Sequence, residues 1–306
     1  MLPGRDPLHT GQVPVPALEA VLGWGATALR ALPWRASRDP WAVLVSEVMA
    51  QQTGVGRVVP RYHAFLARFP DPGACAAAPA GEVVRAWAGL GYNRRALALH
   101  ASATAVVDRH GGRLPDDLGG LLALPGVGPY TARAVLAFAH ERPVGVVDTN
   151  VGRVLARWAG RPLRPTDAQG WADHLVASVA PAGGGVAWRW NQSVMELGGT
   201  VCHRRRPRCG ACPAAVWCAW AGRGLAGPDP AEGSAGTSRA QRPFAGSDRQ
   251  GRGRLVAALR AGPVPVADVP VAAGWPADPA RAARVAAAVV AEGLAVRDGP
   301  VLRLPT

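Results

Sequence analysis

The 306-residue chain has no lysine: all 34 of its Lys+Arg positions are arginine. No side chain therefore offers a primary amine for Schiff-base chemistry. Acids are also scarce, 21 against those 34 cations, and the net charge of +13 points to a polyanionic partner, foremost nucleic acid. Long apolar runs are missing, because charges and prolines interrupt each one short of membrane-spanning length. The opening MLPGRDPLHTGQ has no apolar signal core, so the expected location is cytoplasmic, with no membrane partner. Of only five cysteines, four crowd between 202 and 218, unlike the framework of a secreted disulfide-rich domain. The chain is long enough to bury a full core and to hold more than one domain.

The stretch around which the rest is organised is LPGVGPYTARAVLAFAHERPVGVVDTNVGRVLAR, Leu124 to Arg157. Its glycine-rich turn, with Gly126 and Gly128, runs into an apolar pattern at helical spacing (Ala132, Val135, Leu136, Phe138). Bare backbone N–H groups in such a turn can approach a phosphate where a side chain would block it. Asp148 follows the short apolar run Val144–Val147 and stands where it can cap a helix Thr149–Trp158. A carboxylate at a helix start is stabilised in its ionised form. Upstream, Asp39-Pro40 marks another helix start, and Glu47 lies on that helix among Leu44, Val48 and Met49. Apolar surroundings favour a protonated carboxyl, the state a general acid needs. Gly89-Leu90-Gly91-Tyr92-Asn93-Arg94-Arg95 suits a loop presenting an apolar wedge beside phosphate contacts, although an ordinary helix-linking turn has the same composition. Cys202, Cys209, Cys212 and Cys218, separated by six, two and five residues, suit a closed metal site. Zinc sites usually use two separated Cys-x-x-Cys pairs, and only one such pair is present.

Taken together, these motifs resemble the helix–hairpin–helix DNA glycosylases of the endonuclease III-like superfamily. Within it they are most similar to the adenine glycosylases that remove adenine mispaired with 8-oxoguanine or guanine. The resemblance covers roughly the first 220 residues and implies an all-α, two-lobed fold with the active site in the cleft between the lobes. It implies that Glu47 protonates the base, that Asp148 stabilises the sugar cation, and that Asn150 positions the carboxylate or the water. Gln52, Leu90 and Tyr92 would enter the base stack, Gly126 and Gly128 would hold phosphate, and Arg35 would contact DNA. Trp34 and Glu196 would lie near the base edge. Relatives that also cut the backbone carry a lysine where this chain has Tyr130, which implies a monofunctional enzyme. The cysteine spacing is the one this family uses for a 4Fe–4S cluster, here expected to fix a loop of Arg204, Arg205, Arg206 and Arg208 against the phosphate backbone. Thr149 stands where the adenine-specific relatives usually have glycine, and Asn93 where many have a second aromatic. A T:G mismatch thymine glycosylase of the same fold therefore stays open, as does a non-enzymatic cluster-bearing DNA-binding protein.

The expected organisation is an N-terminal segment 1–33 packing with the cluster lobe and a helical barrel lobe 34–142. An iron–sulfur lobe 143–221 follows, then a Gly/Ala/Ser/Pro-rich linker 222–242 and a small winged-helix-like module 243–306. In that module helices are expected at Arg252–Ala261 and Pro279–Gly293, and strands at Leu294–Arg297 and Val301–Leu304 around Asp298-Gly299. The expected partner is double-stranded DNA with mismatched or oxidised base pairs, bound by a monomer in the bacterial nucleoid. Such an enzyme must flip its target base out of the duplex, because the glycosidic bond is unreachable in the stack.

Overall fold

A computed structural model describes residues 13–234 and 243–306. The expectation drawn from MLPGRDPLHTGQ and the far end of the expected linker, 235–242, lie outside the described residues. In chain order the helices are α1 (Val15–Ala28), α2 (Pro40–Ala50), α3 (Val55–Arg68), α4 (Pro72–Ala77), α5 (Ala80–Ala86), α6 (Arg94–His110), α7 (Leu118–Leu122) and α8 (Pro129–Phe138). They continue with α9 (Thr149–Ala159), α10 (Pro165–Val179), α11 (Val186–Thr200), α12 (Ala219–Gly222), α13 (Asp248–Ala261), α14 (Val269–Ala273) and α15 (Pro279–Ala291). Three short strands, β1 (Val264–Pro265), β2 (Val296–Asp298) and β3 (Val301–Arg303), form an antiparallel sheet in the order β1-β3-β2, with Leu302 opposite both Val264 and Arg297.

Helix starts follow a local rule. Asp39, Asp71 and Asp278 each accept backbone N–H bonds at an N-cap and are followed by proline, whose missing N–H is no loss at that position. Asp117 and Asp148 cap α7 and α9 without proline. The first helix ends at Ala28, because Leu29 is already extended.

The chain divides into two compact units. One comprises the described parts of Met1–Arg38 and Pro129–Arg239; the other comprises Asp39–Gly128 with the described part of Ala240–Thr306. Among the described residues the divisions fall at 38/39 and 128/129; the expectation placed boundaries at 33/34, 142/143, 221/222 and 242/243. Helix α8 goes with the cysteine-bearing unit, where it packs with α11. In that unit Leu18, Val21, Val154, Leu155, Leu175 and Leu197 form the core, with Trp158 and Trp190 packed at 6.4 Å between ring centroids. Residues 229–234 are part of this unit and no free linker: Asp229 pairs with the buried Arg157, and Ser234 Oγ accepts from Leu163 N at 3.0 Å. The second unit is built on Trp41, Phe65, Phe69 and Trp87, with the Trp41 indole N–H donating to Phe69 O at 3.0 Å. The C-terminal helices and sheet belong to it, fastened by Gly81 N donating to Pro305 O at 2.8 Å.

Candidate active site and cysteine cavity

Asp148 sits at the N-terminus of α9. Its Oδ1 accepts from Asn150 N (2.9 Å) and Val151 N (2.7 Å), and its Oδ2 accepts from Asn150 Nδ2 (2.8 Å). Burial pushes this carboxyl above the ordinary range, while those three hydrogen bonds and the nearby Arg153 guanidinium act in the opposite sense. The result is a desolvated carboxylate whose position is fixed by its own helix. Asn150 is held in turn, since its Oδ1 accepts from Arg153 Nη2 at 2.8 Å. The same guanidinium donates to Gly198 O (2.6 Å) and Cys202 O (2.7 Å), so one buried arginine joins the carboxylate's neighbour to the first cysteine. The approach of α11 to α9 requires Gly198: a Cβ there would lie 2.7 Å from Asn150 Cβ.

Glu47 is only 7% exposed on α2, where every residue from Trp41 to Met49 is buried, so it is no ordinary surface glutamate. After α2, Gln52 is exposed with a positive φ of 54°, and Tyr92 likewise has φ 47° and is 46% exposed. Left-handed backbone at a non-glycine residue is uncommon and clusters at functional sites. Leu90, by contrast, is buried at 2% exposure and cannot be a wedge in this conformation. Arg95 does not present itself to phosphate either. It folds inward and donates to Val48 O, Met49 O and Gln51 O at the end of α2 and to Gly91 O in the loop, fastening one to the other. The orphan carbonyls at a helix C-terminus account for that geometry.

The hairpin between α7 and α8 uses its glycines differently. Gly126 has φ 75°, and a Cβ there would stand 2.6 Å from Ala98 Cβ, so the turn itself demands glycine. A Cβ on Gly128 would meet nothing within 4 Å, which leaves its surroundings open to an approaching ligand. Tyr130 follows in the first turn of α8.

Arg35 was expected on DNA and Glu196 and Trp34 at the base edge. Trp34 and Arg35 occupy a short 3₁₀ turn, with Trp34 half-buried. Arg35 donates to Glu196 Oε2 (2.7 Å) and Gln192 Oε1 (2.8 Å), so its charge is already met. Arg30 pairs with Glu196 as well. Glu196 is buried rather than on a helix surface; desolvation alone would raise its carboxyl, but the two guanidinia outweigh it and hold it below the usual range.

Cys202, Cys209, Cys212 and Cys218 all line one small cavity. Among the described residues no three His, Cys, Asp or Glu side chains stand close enough to share a single ion. The donor set instead suits a polynuclear group, which spreads its four thiolates apart. Two further observations fit such an anionic group. Trp220 lines the cavity with its indole N–H buried and unpartnered. Arg157, 2% exposed and over the Trp220 ring at 4.8 Å, donates to Cys202 Sγ at 3.2 Å, to His203 O and to Arg204 O, and is locked from behind by both oxygens of Asp229. Burial raises the thiols of Cys209, Cys212 (to about 11) and Cys218, a cost that cationic iron would remove. Arg204, Arg205, Arg206 and Arg208 are exposed in the cysteine loop, whereas Cys75 is a buried thiol in the other unit. Arg153, Arg157 and Gly198 escaped the sequence reading. Their only signal there was arginines at i and i+4 on an otherwise buried helix.

A capped carboxylate, a helical hairpin open at Gly128 and a four-cysteine loop define a class, and the comparisons agree: residues 45–170 match the HhH-GPD superfamily base excision DNA repair proteins. Over 288 residues the chain is 42% identical to the adenine DNA glycosylase of Mycobacterium tuberculosis, covering 90% of this chain and 89% of that one. It belongs to the adenine DNA glycosylase family. It also resembles the structure of a thermostable thymine-DNA glycosylase (TM-score 0.62, 28% identity, 67% of this chain and 95% of that one). The trapped endonuclease III–DNA covalent intermediate shares the fold (TM-score 0.57, 22% identity, 68% and 95%). The chain is thus a DNA glycosylase of base excision repair, mostly helical with the endonuclease III-like fold, and no described helix is long and apolar enough to cross a membrane.

Proposed function

We propose that the chain is a monofunctional glycosylase that hydrolyses the N-glycosidic bond of adenine mispaired with 8-oxoguanine or guanine in double-stranded DNA, acting as a monomer. The observation that carries this reading is Asp148, desolvated yet fixed by three hydrogen bonds, in a chain 42% identical to an adenine DNA glycosylase. Glu47, buried on α2, donates the proton that makes the base a leaving group. Asp148 stabilises the developing sugar cation, and Asn150 keeps the carboxylate oriented while water completes hydrolysis. This is the two-carboxylate logic of glycoside hydrolysis. Tyr130 and the absence of lysine support base release without Schiff-base strand cutting.

Gln52 and Tyr92 are the exposed side chains that would enter the stack, in place of the buried Leu90. Gly128 would admit a phosphate. Trp34 and the Glu196–Arg30–Arg35 group would form the wall beside the base. The four cysteines would hold a 4Fe–4S cluster, which when bound cross-links the arginine-rich loop. Arg157 and Trp220 would offer N–H donors to the bound group. The C-terminal helices and three-stranded sheet have the composition of a winged-helix-like module. A second reading, thymine removal from T:G, is favoured by Thr149 and by the likeness to the thymine-DNA glycosylase structure.

The test is base release from duplexes carrying A:8-oxoguanine, A:G or T:G, with and without hot alkali. Breaks in the adenine strand only after alkali are expected. Breaks confined to T:G would transfer the assignment to the second reading, and breaks without alkali would refute the monofunctional mechanism.

A further inference from the structure

The second unit contains a groove of about 930 Å³ whose C-terminal side none of the assignments above uses. One side is formed by Gln52, Arg57 and Tyr92, and the other by Phe244 and Arg249 from the C-terminal segment. No carboxylate lines it among the described residues. Its arginines are not equivalent. Arg95 is occupied by backbone carbonyls, Arg252 pairs with Glu292, and Arg94 lies 3.9 Å from that same glutamate. Arg57 and Arg249 are exposed at the groove, Arg249 beside Phe244. Phe244 is 59% exposed, with the Arg249 guanidinium 6.0 Å from its ring centre. An exposed aromatic beside arginines, facing a second exposed aromatic in Tyr92, has the make-up of a base-stacking platform.

The C-terminal side of the groove is held in register with the Tyr92 loop. Arg260 donates to Asn93 Oδ1 (2.7 Å) and to Val84 O (2.9 Å), and Arg85 donates back to Arg260 O (3.2 Å). Asn93, 7% exposed next to Tyr92, is thus one of the contacts that hold the two sides together.

We propose that this groove binds a DNA strand beside the inserting residues Gln52 and Tyr92, with Phe244 stacking an unpaired base and Arg57 and Arg249 holding flanking phosphates. The inference rests on the DNA glycosylase reading and assigns the C-terminal segment a direct part in DNA contact.

The experiment measures binding of the full chain to a labelled duplex containing an abasic-site analogue, by fluorescence anisotropy across a salt series. Each phosphate neutralised contributes about 0.9 to the slope of log K against log salt. The Arg57→Gln/Arg249→Gln double variant should therefore lose about 1.8 from the wild-type slope. Phe244→Ala should keep the slope but weaken binding roughly 5- to 150-fold, the usual effect of losing one base–aromatic stack. With 2-aminopurine as the unpaired base, wild type should quench its fluorescence and Phe244→Ala should not. All three side chains are exposed, so unchanged melting and circular dichroism are expected of each variant. Wild-type protein that fails to bind the duplex would overturn the DNA reading itself. Wild-type binding with slope, affinity and quenching unaltered in the variants would overturn the groove proposal alone.

Discussion

Replacing Arg153 probes the connection between the capped carboxylate and the cysteine loop. The side chain is 7% exposed and donates to Asn150 Oδ1, Gly198 O and Cys202 O. Arg153→Ala strands two acceptors, Asn150 Oδ1 and Gly198 O, each costing about 1–3 kcal/mol when buried without a partner, while Cys202 O keeps a donor in Arg157 at 3.5 Å. Part of that loss is offset, because burial already lowers the guanidinium's proton affinity and removing it ends a desolvation cost. A net destabilisation of about 3 kcal/mol follows, a large share of the roughly 5–15 kcal/mol available to a folded domain. At about 2–4 °C per kcal/mol the melting temperature should fall by roughly 6–12 °C. Asn150 would be freed at the same time, so kcat should drop more than KM changes. Arg153→Lys, which keeps the charge but not the fork of donors, should recover part of the stability and less of kcat. Thermal melting and single-turnover base release measure both effects. An Arg153→Ala variant melting within about 1 °C of wild type, with kcat unaltered, would refute the reasoning.

Asp148→Asn keeps a capping oxygen and removes a charge that burial disfavours, so activity should collapse while stability at neutral pH holds or rises; Asp148→Ala should lose about 1 kcal/mol as a lost N-cap. The sign follows from a raised folded-state pKa: the ionisation cost is absent below the unfolded value near 3.9 and complete above the folded one. The advantage of Asn over Asp in urea melts should therefore grow as pH rises from about 4; an advantage that shrinks would contradict the desolvation argument. Glu196 has the opposite sign, held low by Arg30 and Arg35, so its stabilisation is present above about 4.3 and lost as pH falls through the folded value. Glu196→Gln should cost about 3 kcal/mol at pH 7 and little at acid pH, and equal losses at both would exclude the ion-pair account. Gly126→Ala, which meets both a positive φ and Ala98, should unfold more readily by about 1–3 kcal/mol, whereas Gly128→Ala should melt like wild type but bind duplex DNA more weakly. Identical behaviour of the two variants would remove the distinction drawn between the two glycines.

The sequence by itself determined what depends on local spacing. Asp–Pro pairs start helices because the carboxylate accepts the first N–H groups and proline lacks one. Four cysteines within 17 residues must share a neighbourhood wherever the chain goes. Asp148 at a helix start and Glu47 within an apolar run were legible for the same reason, and the whole chemistry of lysine was excluded by composition. Only the tertiary structure decided which of two adjacent wedge candidates is exposed, burying Leu90 and leaving Tyr92 out, since both fit the same loop pattern. It also turned Arg95 inward, placed Arg35 on a glutamate 161 residues away, and joined Arg260 to Asn93 across 167 residues. Local periodicity carries no information about such pairings. They are set by which buried donors and acceptors must find one another once the helices pack, because an arginine left buried and unpartnered would cost more than any local preference could supply.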